Sequence, residues 1–92
     1  MLEYLKTHIL EELEGATDYW TKAVEYKDTE WGCNFYKMAE MEIEHASMLT
    51  KMMSKEKNPK NSDAFKEVLD AYTDHMAKIE AMKKLYWRDK DA

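Results

Sequence analysis

Ninety-two residues make one small domain, 1–92, with 45% hydrophobic residues, 36% charged residues and a formal charge of −5. That acidic balance excludes the basic footprint of a nucleic-acid binder, and no apolar run approaches the ~18 residues of a membrane span. The single cysteine, Cys33, excludes an internal disulfide framework and points to a reducing, cytoplasmic setting.

Two Gly and one Pro leave few places to break a helix, so an all-α chain is expected. The N-terminal run MLEYLKTHILEELEG is interrupted by charges and a His, unlike a secretory leader. The first helix is predicted over 2–27. Its apolar stripe runs through Leu2, Leu5, Ile9, Ala16, Tyr19, Ala23 and Tyr26. One member is missing between Ile9 and Ala16. Leu13 can fill the gap, but the three-four rhythm lands on Glu12.

A turn at KDTEWG follows, where Asp28 or Thr29 can cap a second helix over 30–54. Its stripe holds Trp31, Phe35, Met38, Ala39, Ala46, Leu49, Met52 and Met53, with Glu42 and His45 at the centre. A second break at 55–63 contains Pro59, Asn58 and Asn61, with Ser62 and Asp63 as start signals. The third helix, over 63–88, shows an apolar stripe of Phe65, Val68, Leu69, Tyr72, Met76, Ile79, Met82 and Tyr86, with His75 at its edge. The last residues, RDKDA, are expected to fray.

Carboxylates inside an apolar stripe need a partner, because burying an unpaired charge is expensive. Helices joined by a short turn run antiparallel. Glu12 lies 16 positions before a turn centred on residue 28, and Glu42 lies 14 after it. The two therefore fall at nearly the same height. Glu42-Ile43-Glu44-His45 is a Glu-x-x-His motif, whose two side chains point the same way one turn apart. A Glu on one helix and Glu-x-x-His on its neighbour make half of a di-iron carboxylate site. Carboxylate oxygens with one imidazole suit iron or manganese, and carboxylates can bridge two ions.

At these residues the chain resembles the ferritin-like proteins. Glu11-Glu12-Leu13-Glu14, then Glu42-Ile43-Glu44-His45-Ala46, is similar to the encapsulated ferritins. In that family each short chain gives half a site, and two chains assemble a ferroxidase centre across a dimer interface. The resemblance implies Glu12, Glu42 and His45 as metal ligands, Tyr19 as a redox neighbour, and a di-iron or manganese cofactor. Leu-Glu-Gly-Ala (13–16), the run 38–46 and Asp-Ala-Tyr-Thr (70–73) also resemble small ferritin-like proteins of phages and gut Firmicutes. The third helix lacks a second Glu-x-x-His, so one chain cannot complete the site. The C-terminus carries no apolar, Gly-containing cargo tail, so packaging in an encapsulin shell is not expected.

Three helices with one broad stripe each also want a fourth element. A homodimer or larger homo-oligomer would complete a four-helix core and the half site together. Glu11 and Glu14 are candidates for guiding cations inward, and His8, four residues before Glu12, for supporting or admitting the metal. His75 is a weaker candidate for an extra ligand. The competing reading makes Glu12, Glu42 and His45 a buried polar network, in a helical assembly or phage-particle protein with a structural metal or none.

Overall fold

The computed structural model describes residues 1–56 and 62–88. It holds three helices, α1 (Leu2–Glu25), α2 (Glu30–Ser54) and α3 (Ser62–Tyr86), and the described residues contain no strand. Pro59 and the tail beyond Arg88 lie outside the described residues. The all-α expectation holds, and three of the predicted boundaries moved: the first helix ends at 25 rather than 27, and the third runs over 62–86 rather than 63–88. α1 ends at Glu25 because Asp28 turns the chain with φ 69°, a left-handed conformation that a helix cannot carry. Thr29 then caps α2, its hydroxyl accepting the Gly32 N–H at 3.2 Å. No helix among the described residues is long and apolar enough to cross a membrane.

α1 packs along both other helices, while α2 and α3 touch each other far less. The Cα trace is a slab of 52 × 20 × 15 Å. This arrangement decides which residues are buried. The buried stripe of α1 is Leu5, Ile9, Leu13, Ala16, Trp20 and Ala23. The rhythm through Glu12, Tyr19 and Tyr26 is thereby corrected. Leu13 fills the gap, Trp20 is the large core aromatic, and Tyr26 is exposed. A helix between two neighbours buries a wide arc, and Glu12 and Tyr19 sit on the α2 edge of that arc rather than at its centre.

On α2 the buried spine is Gly32, Ala39, Ala46 and Met53. These four recur every seventh residue, the period of a close helix–helix seam. Ala39 packs in one core cluster with Ala16 and Ala23 of α1, and Ala46 and Met53 in another with Leu5, Ile9 and Leu13; the small residues of the seam let the two backbones approach. Trp31, Met38 and Met52, expected inside, are exposed. On α3, Val68 and Ile79 are fully buried, and Leu69 is exposed.

The hairpin end of the core is aromatic. Trp20 stands 5.8 Å from Tyr36 and 5.7 Å from Tyr86, ring centre to ring centre. Lys27 fastens the end of α3 by donating to the Leu85 and Arg88 carbonyls at 3.1 and 2.9 Å. Lys6–Glu67 at 2.7 Å and Lys83–Glu40 at 3.4 Å tie α3 to α1 and α2. Such exposed pairs add little stability.

Gly32 marks the tightest point. A Cβ there would overlap the Tyr26 carbonyl oxygen and lie 3.1 Å from the Ala23 carbonyl oxygen. Both are backbone atoms and cannot yield without moving the turn. Gly32→Ala is expected to lower stability by about 3 kcal/mol, the upper part of the usual overpacking range. Denaturant unfolding monitored by circular dichroism measures it.

Candidate metal centre

α1 presents Glu12 on the flank that faces α2, and α2 answers with Glu42 and His45 from the middle of its length. One ligand atom from each of the three lies within 4.8 Å of the other two. His45 Nδ1 is 3.7 Å from Glu12 Oε2. Among the described residues this is the one group of three or more His, Cys, Asp or Glu side chains close enough to share an ion. The antiparallel hairpin matches the heights of Glu12 and Glu42, and the three-residue step brings His45 to the same face.

Gly15 completes the arrangement. It lies one turn after Glu12, and a Cβ at that position would sit 3.1 Å from Glu42 Oε2. The Glu42 carboxylate therefore rests against bare α1 backbone.

The electrostatics are those of two acids in one place. The Glu42 carboxyl is pushed up to about 7, first by its hydrogen bond to Glu12, then by desolvation and by the Glu12 charge, with His45 opposing. Glu12 Oε2 is buried, with no hydrogen-bond donor fixed on it among the described residues. A proton held on Glu42 is what satisfies it. A cation can replace that proton, and two carboxylates with an imidazole are a donor set for a hard or borderline divalent ion.

The group is half open. The Glu12 side chain is 23% exposed and that of His45 57%. Both line a hollow shared with Tyr4, His8, Met48, Leu49 and Met52. The expected burial at the centre of the stripe is thus corrected to a position at the core's edge.

The other candidates are placed as follows. His8 lines the hollow, with its ring 4.2 Å from that of Tyr4 and its Nδ1 3.9 Å from Glu11. It stands at the mouth, outside the three-residue group. Glu11 is exposed beside it, and Glu14 is exposed and belongs neither to the group nor to the hollow. Tyr19 stacks on Phe35 at 6.1 Å. It is seven residues, about 10 Å along the helix, from Glu12. His75 hydrogen-bonds Thr17 at 2.7 Å in the α1–α3 contact and is not a member of the group.

Sequence reasoning missed Gly15, Met41 and Met48. A glycine in mid-helix was the signal for the first. For the methionines the signal was two apolar residues off the buried spine, seven apart, on either side of the motif.

Comparison with family models, with curated proteins and with solved structures gives no match. Any function is therefore argued from the site itself.

Proposed function

We propose that the chain is a ferritin-like half site, completed by a second copy into a dinuclear centre that oxidises Fe(II). The observation that carries this reading is the convergence of Glu12, Glu42 and His45, with one ligand atom of each within 4.8 Å of the other two.

The surface around the group supports the second copy. Met41, Met48 and Met52 are all more than half exposed, and Met38 is 39% exposed. They flank His45 almost symmetrically, at seven and four residues before it and three and seven after. An antiparallel two-fold axis near residue 45 sets Met38 on Met52 of the second copy and Met41 on Met48 of the second copy. It also brings the two metal groups face to face. A two-fold contact of this kind is self-complementary by construction.

Two chains then offer four carboxylates and two imidazoles, and the four carboxylate charges balance two divalent ions. Glu12, Glu42 and His45 of each chain would hold the ions, and Fe(II) held there would supply, one electron from each of two ions, the pair that reduces dioxygen with two protons to hydrogen peroxide. Glu42 is half-buried, so the proton that it releases on binding can pass to solvent. The methionine rim keeps bulk water from the rest of the paired face.

The exposed methionine stripe also supports a second reading, an assembly protein with a structural metal or none. Anaerobic Fe(II) titration of the full chain, with its mass followed by light scattering, separates the two. The expected result is about one iron per chain in an even-numbered oligomer, with oxygen uptake on admission of air. An oligomer that binds no iron would leave the assembly reading.

A further inference from the structure

We infer that Gly15 is a positioning residue for the metal group: it leaves α1 bare so that the Glu42 carboxylate can lie against it and meet Glu12. This rests on the metal-binding reading above. Gly15 has no conformational need to be glycine, since no glycine of the chain has a positive φ. It lies within α1, and an interior glycine disfavours a helix relative to alanine. Something must offset that disadvantage.

Space is what it provides. The three atoms nearest to an added Cβ all belong to Glu42: Oε2 at 3.1 Å, Cδ at 3.6 Å and Cγ at 3.9 Å. The first is tighter than an ordinary van der Waals contact. An alanine would push the carboxylate oxygen away by a few tenths of an ångström. Nothing in the core would feel this, because Glu42 is at the core's edge. A metal would feel it, because ligand distances hold to about ±0.2 Å. The glycine thus favours the site at the expense of the helix, a trade often met where function and stability compete.

Gly15→Ala has two opposite consequences. The metal-free protein should melt higher, by roughly 4 °C. Fe(II) affinity, titrated anaerobically on the full chain, should fall about tenfold, the size of loss typical when a ligand's support is disturbed. A structural glycine would move both in the same direction. Glu42→Asp supplies the second half of the test. Its side chain is one methylene shorter and clears the added methyl group. In that background Gly15→Ala should change the already weakened Fe(II) affinity by less than twofold.

Unchanged affinity in Gly15→Ala overturns the inference, and so does an equal tenfold loss in the Glu42→Asp background. A fall in the metal-free melting temperature overturns it as well, by making Gly15 a packing residue. Absence of Fe(II) binding in the unmutated chain is a different failure. It removes the metal reading itself, and this inference with it.

Discussion

Glu42→Gln is expected to lower Fe(II) affinity at least 100-fold and, at the same time, to raise the stability of the metal-free protein above pH 7. The two effects share one cause. Folding holds the Glu42 carboxyl up to about 7, against 4.5 for a free one. Between these values the folded chain keeps a proton that the unfolded chain has released. Stability of the metal-free protein therefore falls as pH rises from about 4.5 to about 7, and levels off above that. The full shift would be worth about 3 kcal/mol, but Glu42 is only partly buried, so roughly 1–2 kcal/mol is expected after solvent screening. For a chain of this size each kcal/mol moves the melting temperature by about 4–8 °C.

Glutamine keeps the neutral, hydrogen-bonding form at every pH. The variant should show no such decline, and it should melt above the unmutated protein at pH 8. Iron runs the other way. It must displace the proton, so affinity of the unmutated chain should rise about tenfold per pH unit below 7 for each proton released. Melting curves from pH 4.5 to 8, with Fe(II) titrations at the same pH values, test both. A metal-free melting temperature that climbs over this window would mean that Glu12 and Glu42 do not share a proton.

The helix boundaries and the site were legible for different reasons. The start of α2 followed from capping chemistry: Asp28 and Thr29 were both readable as caps before an apolar periodic run, and the left-handed Asp28 leaves the role to Thr29. The site followed from counting, because a hairpin fixes heights once its turn is placed. The stripe of α1 was not legible. Glu12 and Leu13 are one residue apart, 100° around the helix, and a helix that serves two neighbours buries an arc wide enough to admit either. Only the position of α3 selects Leu13 and Trp20 as core and leaves Glu12 and Tyr19 at the edge facing α2. The methionines of α2 were ambiguous in the same way. Periodicity marks Met38 and Met52 as apolar, and it does not say whether the chain's own core or another surface covers them.

That ambiguity makes the methionine face the second large prediction. Met48→Lys is expected to convert the proposed oligomer to monomers and to abolish stoichiometric iron binding, with helical content little changed. Met48 is 61% exposed on the isolated chain, so a lysine there leaves the core undisturbed, although it shares the hollow with Glu12 and His45. In the paired form the same position would be covered, and an unpaired ammonium would be taken out of water, which is strongly disfavoured. Loss of the apolar contact adds to this, since fully burying a methionine is worth about 1.5–3 kcal/mol. Together they should weaken association by more than 100-fold.

The register can be tested in the same background. The proposed two-fold near residue 45 would put position 48 of one copy against position 41 of the other. Adding Met41→Glu to Met48→Lys therefore places a carboxylate opposite each introduced lysine, twice per dimer. The double variant should regain its even-numbered mass and part of its iron binding, and the recovery should weaken with salt. Met38→Glu in place of Met41→Glu should restore much less, because position 38 faces position 52. If all three variants keep the oligomer, the second copy sits elsewhere. If Met48→Lys yields monomers that still bind one iron each, Glu12, Glu42 and His45 form a complete mononuclear site and the two chains do not share it.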